Sequence, residues 1–392
     1  MKMKYPLSVS TWDDLEIAAI QNVVSSGNFT MGENVKEFEN KFAEFVGSKY
    51  CVMVNSGSSA NLLMIASLFY KQNHRLKKDD EVIVPAVSWP TTYYPISQYG
   101  LKLRFVDIDL KTLNYNIEDL KHSITDKTKA IMVVNLLGNP NDFKEIEKIC
   151  KEHSLIMLED NCESMGAIYN SKQAGTFGLM GSFSSFFSHH ISTMEGGMIL
   201  TNDEELYHIL LSLRAHGWTR NLPKYNKVSG EKSDDPFEES YRFLLPGYNV
   251  RPIEMSGAIG IEQLKKLPNL LELRRKNAKL FQKLFSKHPF FDIQQEIGNS
   301  SWFAFSLIIK EGVNLNRKKI SNLLYENGIE CRPIVAGNFS KNDVLKYLPH
   351  TIYGSLPNAD KLDKDGLYIG NHGFDMSENI NYLYNVLKDI HE

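Results

Sequence analysis

Short apolar segments alternate with segments of helical periodicity along the first half of the chain, and this alternation limits the folds that the chain can adopt. Apolar, strand-like segments occupy residues 50–54, 81–85, 103–108, 130–135, 156–158, 182–187 and 197–201. A helix is predicted between two of these strands at residues 143–150. Strands that alternate with helices require crossover connections, so the sequence predicts a largely parallel sheet.

The second half of the chain has a different pattern of secondary structure. Two long helices are predicted at residues 254–267 and 270–287, and the second leads into a C-terminal region. In that region residues 302–309 alternate as a strand, and residues 329–335 follow another helix. We therefore expect an α/β protein with a large domain, built on a mixed and mostly parallel sheet, and a smaller C-terminal α+β domain. The expected domains are residues 1–268 and 269–392.

Two further segments carry local predictions. A helix is expected at residues 11–24 with Thr11 as its cap, because Asp14 follows at the spacing of a capping box. Residues 220–239 are irregular and charged, with several Asn, Lys, Asp and Pro residues. A loop of this length in a compact protein is usually a binding lid, a subunit contact or a disordered segment.

The composition is that of a soluble globular protein, and it excludes several classes of function. The chain has 392 residues, of which 42% are hydrophobic and 23% charged, and its formal net charge is −3. That charge provides no electrostatic surface for nucleic acid or for an anionic membrane. The N-terminus lacks the apolar segment of a signal peptide, and no apolar run approaches transmembrane length. We therefore expect a cytoplasmic protein.

The four cysteines are scattered singly along the chain, at Cys51, Cys150, Cys162 and Cys331. Their spacing fits neither a disulfide framework nor a zinc site, and it lacks the clustered cysteines of an iron–sulfur centre. Reduced thiols without a bound metal are therefore expected.

Residues 181–201 have the composition of a loop that performs chemistry. Two strand-like runs there flank a polar turn that contains His189, His190 and a Glu195-Gly-Gly sequence. Upstream, a buried apolar run ends next to Asp160. A carboxylate therefore stands where a strand leaves the sheet, which is the usual place for ligands in open α/β folds. Together the two segments predict a cofactor-binding site.

Another strand-to-helix turn, at residues 55–60, has the composition of a phosphate site. It contains Gly57 and Ser58. Glycine and small hydroxyl residues bring backbone N–H groups to the positive end of the helix, which suits a phosphate; a plain N-cap has the same composition. Trp89, after the next strand, either fills the core or stacks on a flat heterocycle.

These motifs resemble those of the fold type I sugar aminotransferases, which use pyridoxal phosphate (PLP). Members of that family carry an aspartate on a strand, then a strand rich in Ser and Phe, a lysine, and a Gly-Glu/Asp-Gly-Gly turn. Asp160 and the Glu195 turn match, but His189 stands at the lysine position, and no lysine occurs between Lys172 and Lys224. The chain is similar to the small lysine-less branch, the 3-dehydratases of 6-deoxy sugar nucleotides that depend on pyridoxamine phosphate (PMP).

The resemblance implies a set of cofactor contacts, namely Gly57, Ser58, Trp89, Asp160, Glu163, Ser184 and Asn249. The glycine and the two serines would hold the phosphate, and the tryptophan would stack on the pyridine ring. Asp160 would keep the ring nitrogen protonated, which an electron-accepting ring requires. Asn249 would reach the phosphate bound by the other subunit of a homodimer. Outside this family context, Asp160 is equally explained as an ordinary residue at a strand end, and the alternative for Ser184 is a sheet serine bonded to the backbone.

His189 is the expected catalytic residue. A lysine at this position would tether the cofactor covalently, whereas an imidazole cannot form that bond but can move protons near neutral pH. The resemblance therefore implies non-covalent PMP or PLP, with His189 as the acid–base group for loss of the C3 hydroxyl. We expect the neighbouring His190 to have an orienting or structural role.

The resemblance also implies the substrates. They are GDP-4-keto-6-deoxymannose and L-glutamate, which would regenerate PMP and leave as 2-oxoglutarate, in the biosynthesis of colitose for the O-antigen of lipopolysaccharide. Some lysine-less dehydratases use an iron–sulfur centre and a reductase instead, but the dispersed cysteines favour the glutamate route. Arg220, Arg251 and Arg332 are candidate contacts for the diphosphate or for glutamate, and each could equally be a surface charge.

Two other functions stay open from the sequence. One is an ordinary sugar aminotransferase in which another lysine holds the cofactor, and Lys172 is the nearest in sequence. The other is a catalytically silent relative that only binds a nucleotide sugar. The intact set of Asp160, Trp89, Gly57 and Ser184 argues against the silent relative.

Overall fold

The structure is a computed structural model, and it describes residues 3–73, 75–388 and 390. Its strands are β1 (Tyr50–Val54), β2 (Glu81–Pro85), β3 (Lys102–Val106), β4 (Thr128–Val134), β5 (Ile156–Asp160), β6 (Ile168–Tyr169), β7 (Lys172–Gln173), β8 (Met180–Ser184), β9 (Gly197–Thr201), β10 (Tyr225–Asn226), β11 (Gly230–Glu231), β12 (Phe291–Asp292), β13 (Ala304–Ile309), β14 (Cys331–Arg332), β15 (His350–Ile352) and β16 (Gly366–Gly370).

The α-helices are α1 (Asp14–Ser26), α2 (Glu33–Val46), α3 (Gly57–Ser67), α4 (Pro90–Gln98), α5 (Ile117–His122), α6 (Phe143–His153), α7 (Glu204–Leu213), α8 (Pro236–Glu239), α9 (Glu254–Phe285), α10 (Arg317–Glu326), α11 (Pro357–Asp365) and α12 (Ser377–Lys388). Short 3-10 helices occupy Leu136–Gly138, Phe339–Lys341 and Asp343–Tyr347.

The large sheet has eight strands in the order β1-β9-β8-β5-β4-β2-β3-β15. Strand β9 runs antiparallel to both of its neighbours, and the other pairs are parallel. A second sheet, β12-β13-β16-β14, is antiparallel and is built from the C-terminal part of the chain. The predicted fold class, with a mostly parallel large sheet and a smaller α+β region, is confirmed.

The large sheet is buried on both faces, which explains why its strands read as continuous apolar runs. On β2, Val82 and Val84 pack into the core on one side of the sheet, and Ile83 packs into the core on the other side. Successive side chains of a strand point to opposite faces, so a strand covered on both faces needs an apolar residue at every position. This is why the strand predictions were correct to within three residues at each end.

The start of helix α1 differs from the prediction. Its N-cap is Asp13, and Glu16 closes the capping box by accepting from the Asp13 N–H group at 2.7 Å. The predicted cap, Thr11, instead donates from Oγ1 to Gln263 Oε1 at 2.5 Å. The capping motif is therefore present two residues later than predicted, because a tertiary contact to α9 engages the threonine hydroxyl.

The two long helices predicted around residue 268 are one helix, α9. Pro268 lies inside it and removes a single backbone donor, while the helix packs on both sides of this position. At its N-terminal end α9 crosses α2 closely, since a Cβ atom on Gly260 would lie 2.8 Å from the ring of Phe38. The division at residues 1–268 and 269–392 stays a prediction.

The charged segment at residues 220–239 has short elements of its own. It forms the β10–β11 hairpin and helix α8. Lys224 pairs with Asp234 at 2.5 Å, and Arg242 pairs with Glu239 at 2.7 Å. These ion pairs link parts of the segment and its flank to each other.

Candidate active site

A cavity of about 540 Å³ opens at the carboxyl ends of the parallel strands. The turns after β1, β2, β5 and β8 supply one wall, and Phe303, Arg332 and Tyr368 approach from the C-terminal region. The carboxyl ends of parallel strands meet at one edge of a sheet, so polar residues that follow different strands come together there. The structure brings seven of the eight predicted site residues to this cavity, namely Gly57, Ser58, Trp89, Asp160, Glu163, Ser184 and His189.

The turn before α3 has the geometry of an anion site. Ser56 caps the helix by accepting from the Ser59 N–H group at 3.1 Å. The N–H groups of Gly57 and Ser58, in the first turn, have no acceptor within the helix. A Cβ atom on Gly57 would lie 2.7 Å from Ser184 Cβ and 2.9 Å from Cys162 Sγ, so this position requires glycine. The positive end of the helix therefore faces the cavity without a side chain in between.

Asp160 is held by donors from three parts of the chain. Its Oδ2 atom accepts from Asn61 Nδ2 and from Thr92 Oγ1, both at 2.8 Å, and its Oδ1 atom accepts from the Cys162 N–H group at 3.2 Å. Ser182 Oγ donates to Asn61 Oδ1 at 2.6 Å and orients the amide. The carboxylate is thus fixed at the end of β5 with its direction set by its neighbours.

Asn61 and Thr92 were not predicted as site residues. Each lies on a helix that begins after a strand of the sheet, and each looks like an ordinary polar helix residue in the sequence. Asn61 lies four residues after Gly57, and Thr92 lies three residues after Trp89. This short distance from predicted site residues is the signal that could have identified them.

Glu163 lies beside Asp160 in the cavity wall. Its Oε2 atom accepts from the Leu137 N–H group at 2.9 Å. Leu137 has a positive φ of 53°, which is unusual for a branched residue and turns its N–H group toward the carboxylate. Burial, together with the negative charge of Asp160, raises the pKa of Glu163 to about 7.

His189 lies in the loop between β8 and β9, and its ring faces the cavity. The ring packs edge to face against Phe303, with centroids 5.3 Å apart, and its buried Nδ1 atom has no partner among the described residues. Burial, and then the positive charge of Arg274, lower the pKa of His189 to about 4. Its pKa therefore lies below the near-neutral range expected for an imidazole, because the protonated ring would lose its hydration.

The loop that carries His189 is closed by hydrogen bonds at its base. Ser185 and Thr193 share a hydroxyl–hydroxyl bond of 2.6 Å, and the Thr193 N–H group donates to the Ser185 carbonyl oxygen at 2.9 Å. A Cβ atom on Gly196 would lie 2.3 Å from Thr193 Oγ1 and 2.4 Å from Ser185 Oγ. The glycine after Glu195 thus allows the loop to close on itself.

His190 points away from the cavity. It is fully buried, and its Nε2 atom lies 3.2 Å from the Ser301 carbonyl oxygen. This contact agrees with the structural role expected for His190. Lys172, the nearest alternative lysine, lies on the exposed β6–β7 hairpin, where its Nζ atom is 4.3 Å from the Phe177 ring centroid. No lysine lines the cavity in the described part of the chain.

Of the three candidate arginines, Arg332 lines the cavity. Arg220 lies outside it, 5.2 Å from the ring centroid of Trp218. Arg251 also lies outside and donates from Nε to Asn249 Oδ1 at 3.0 Å. Asn249 is exposed and does not reach the cavity of its own chain. Its predicted contact with the other subunit stays a prediction.

The residues of this cavity fit PLP or PMP. Gly57 has no side chain and so leaves room for a phosphate at a helix N-terminus, and Asp160 supplies a carboxylate of fixed direction that could accept from a protonated ring nitrogen. Trp89 is 57% exposed in the cavity mouth and presents a flat aromatic surface.

Among residues 3–73, 75–388 and 390, no group of His, Cys, Asp and Glu side chains could hold a metal ion. The four cysteines are unpaired, and Cys162 is the one that lines the cavity. None of the helices that the structure describes is both long enough and apolar enough to span a bilayer.

Comparison with known proteins places this site in a family. The model of the DegT/DnrJ/EryC1/StrS aminotransferase family matches residues 11–387. GDP-4-keto-6-deoxy-D-mannose 3-dehydratase of Yersinia pseudotuberculosis is 63% identical over 387 residues, which cover 98% of each chain.

Two solved structures of GDP-4-keto-6-deoxymannose-3-dehydratase are similar over the whole fold. One is a mutant with bound GDP-perosamine, and the other has a trapped PLP-glutamate geminal diamine. Each is 64% identical to this chain with a TM-score of 0.97, and each match covers 98% of this chain and 100% of the other. Since the family model and these relatives match nearly every residue, the chain belongs to the DegT/DnrJ/EryC1/StrS aminotransferase family.

Proposed function

We propose that this chain is a PMP-dependent dehydratase that removes the C3 hydroxyl group of GDP-4-keto-6-deoxy-D-mannose to give GDP-4-keto-3,6-dideoxy-D-mannose. One observation carries the proposal: the cavity that Gly57, Asp160 and Ser184 line is also lined by His189, and by no lysine in the described part of the chain. The activity of the relatives, and the GDP-perosamine and PLP-glutamate adduct in their structures, support the substrate and the amino donor.

The overall reaction balances with L-glutamate as the reductant. Replacement of the C3–O bond of the sugar by a C–H bond consumes two electrons, and the oxidation of glutamate to 2-oxoglutarate supplies them. One ammonia leaves for each sugar converted. No iron–sulfur centre or reductase is needed in this scheme, which suits the dispersed cysteines.

Each group of cavity residues has one task in the proposed reaction. When bound, PMP supplies an amino group for the C4 carbonyl carbon of the sugar and a ring that accepts electrons. Gly57, Ser58 and Ser184 hold the phosphate at the start of α3. Asp160 keeps a proton on the ring nitrogen, and Trp89 covers one face of the ring.

Glu163 is a further cofactor contact in this proposal. It lines the cavity, and its Oε2 atom accepts a hydrogen bond from the Leu137 N–H group. Because its pKa is raised to about 7, Glu163 is able to hold a proton at neutral pH and to donate it in a hydrogen bond to an oxygen of the cofactor.

His189 moves the protons. It takes a proton from the C4′ carbon of the cofactor and gives a proton to the C3 hydroxyl group, which leaves as water. The lowered pKa of His189 keeps the ring neutral before the reaction, so that it has a lone pair for a proton. It weakens the ring as a base, but it makes the protonated ring a stronger acid toward the C3 hydroxyl group. His189 is the one histidine in the described cavity wall, and its Nδ1 atom has no hydrogen-bond partner there.

The proposal extends to the assembly and the cellular role. The enzyme would be a cytoplasmic homodimer in which Asn249 reaches the partner's cofactor phosphate, with residues 1–268 as the cofactor domain and residues 269–392 as the small domain. Its product would serve colitose and O-antigen biosynthesis. The exposure of Asn249 outside its own cavity supports a role at a subunit contact.

The experiment that tests the function is an incubation of the purified protein with PLP, L-glutamate and GDP-4-keto-6-deoxy-D-mannose. We expect a sugar nucleotide that is lighter by one oxygen atom, with equal amounts of 2-oxoglutarate and ammonia. A 4-amino sugar as the main product would show that the chain is an aminotransferase. An unchanged sugar nucleotide in the presence of bound cofactor would show that the chain is catalytically silent.

A further inference from the structure

Arg274 lies on α9 behind Phe303, and it is a buried cation without an anionic partner. The residue is 4% exposed, and its Nη1 atom donates to the carbonyl oxygens of Phe303 at 3.1 Å, of Trp302 at 3.5 Å and of Asn371. No carboxylate lies within ion-pair distance in the described part of the chain, and Nε has no partner there. Burial of an unpaired charge is costly, so its place in the fold calls for a physical reason.

Two of the carbonyl groups that Arg274 holds, those of Trp302 and Phe303, belong to a strained segment. Trp302 has a positive φ of 48°, and its N–H group donates to Ser300 Oγ at 3.0 Å. The next residue, Phe303, donates from its N–H group to the Leu137 carbonyl oxygen at 3.0 Å. A positive φ at a residue as bulky as Trp302 persists only where the surrounding structure holds the backbone in place. The guanidinium is one of the groups that do so.

The strained segment places the aromatic wall against which His189 packs. The Phe303 ring contacts His189 edge to face at 5.3 Å and lies 5.7 Å from the His190 ring. The Arg274 guanidinium is bonded to the backbone of that same residue. Arg274 is therefore connected to the imidazole through Phe303: it donates a hydrogen bond to the Phe303 carbonyl oxygen, and the Phe303 ring contacts His189.

The charge of Arg274 also acts on the imidazole. Burial lowers the pKa of Arg274 to about 10, so it stays charged at neutral pH. Its positive charge contributes to the lowered pKa of His189, of His190 and of His372. The charged and titratable groups that face His189 from all sides are His190 on its own loop, Arg274 on α9, and the cavity residues Asp160, Glu163, Glu195, Arg332 and Tyr368.

We infer that Arg274 is a positioning residue for His189: its guanidinium fixes the Phe303 wall against which the imidazole packs, and its buried positive charge lies behind that wall. The inference rests on the proposed function, in which His189 is the acid–base group. It assigns a role in the reaction to a residue that touches neither the substrate nor the cofactor.

The test compares Arg274→Met with Arg274→Lys. Methionine removes the charge but fills the buried space, whereas lysine keeps the charge and can still donate to a carbonyl oxygen. Arg275→Met is the matched control, because Arg275 also holds backbone carbonyl oxygens, of Ser300 and Gly166, but its charge acts on His190 and not on His189.

The primary measurement is the titration of His189 in the cofactor-free protein, followed by NMR with isotope-labelled histidine and assigned with His189→Asn. We expect the protonation midpoint to rise by about one pH unit in Arg274→Met, a change of about tenfold in proton affinity, because a nearby like charge has been removed. The midpoint should stay near the wild-type value in Arg274→Lys and in Arg275→Met.

A second readout is the pH dependence of single-turnover dehydration by the PMP-loaded enzyme. The acid-side decline of the rate should begin about one pH unit higher in Arg274→Met than in the wild type. A purely structural role would lower the rate at every pH without moving this limb.

An unshifted His189 midpoint in Arg274→Met would overturn the inference, and so would an equal shift in Arg274→Lys. If Arg274→Met does not fold, Arg274→Gln takes its place, since glutamine is neutral and can still donate to the carbonyl groups. The titration needs no activity. A shifted midpoint in a protein that does not dehydrate the sugar would therefore refute the proposed function alone.

Discussion

Asn61 Nδ2 donates a hydrogen bond of 2.8 Å to Asp160 Oδ2 and thereby ties helix α3 to the end of strand β5. The same helix begins at the proposed phosphate site, and the same carboxylate is the proposed partner of the ring nitrogen. The two ends of the cofactor site are therefore linked through one buried amide. A substitution of Asn61 should therefore affect both the first turn of α3 and the orientation of Asp160.

Substitution Asn61→Leu should weaken cofactor binding without removing a cofactor contact. We expect the dissociation constant for PLP to rise about tenfold, because a hydrogen bond to a charged group contributes about 1.5 kcal/mol. Titration of the purified variant with PLP, followed by the quenching of protein fluorescence, measures the change. Asn381→Leu, at an exposed position on α12, is the control. Equal affinities in the two variants would contradict this role of Asn61.

Substitution Gly57→Ala should damage the phosphate site directly. The added methyl group would lie within 2.9 Å of both Ser184 Cβ and Cys162 Sγ, so the first turn of α3 must move. Overpacking of this kind costs about 1–3 kcal/mol, and we expect the affinity for PLP to fall by about tenfold or more. Asn381→Leu, the exposed control on α12, serves as the comparison in the same titration. Tight cofactor binding by Gly57→Ala would show that the phosphate lies elsewhere.

Borohydride treatment should leave no cofactor attached to the wild-type chain. The reason is that His189 cannot form a covalent bond of the kind that a lysine forms with PLP, and no lysine lines the described cavity. Mass spectrometry of the reduced and denatured protein gives the result. A chain heavier by one reduced cofactor would show that another lysine reaches the site.

Substitution His189→Asn should abolish dehydration while the cofactor still binds. Asparagine cannot carry the proton, so we expect the rate to fall by a factor on the order of 10²–10⁴. His189→Lys should instead capture PLP covalently, in a form that borohydride makes permanent. His190→Asn is the control, because His190 is buried against Ser301 and does not line the cavity. A normal rate in His189→Asn would move the proton transfer to another residue.

Substitution Glu163→Gln should change how the stability of the cofactor-free protein depends on pH. Burial raises the pKa of Glu163 from 4.5 to about 7, so the folded state holds this proton more tightly than the unfolded state. The contribution of Glu163 to the free energy of unfolding is therefore fully present at low pH, and it is lost as the pH rises through about 7. Glutamine can still accept from the Leu137 N–H group but does not titrate.

The melting temperature of Glu163→Gln should therefore rise relative to that of the wild type as the pH increases from about 5 to about 8. Thermal unfolding followed by circular dichroism at a series of pH values measures this difference. A difference that stays constant over the range would show that Glu163 does not carry a raised pKa in the folded state.

Many features of the molecule could be predicted because they depend on residues that are adjacent in the sequence. Most strands of the large sheet contain a run of apolar residues, and Gly57, Trp89 and Asp160 lie at or just after the ends of three of them. Such turns meet at one edge of a parallel sheet whatever the details of packing. The replacement of a lysine by His189 was visible for the same reason, since the loop that contains it lies between two recognisable strands.

Other features could not be predicted because they depend on residues far apart in the chain. Thr11 does not cap α1 because Gln263 takes its hydroxyl group, and two predicted helices are one because packing on both sides of Pro268 holds α9 together. The low pKa of His189 likewise depends on burial and on Arg274, which is distant in sequence.

The sequence alone therefore determined the fold class and which chemical groups are present at the strand ends, because the periodicity of apolar residues and the local turn composition depend on neighbouring residues only. The tertiary structure decided how those groups are tuned. Asn61 and Thr92 orient Asp160, Leu137 orients Glu163, and the Phe303 wall with Arg274 behind it sets the environment of His189. Hydrogen bonds and charges act through space, so these relationships exist only once distant segments have packed together.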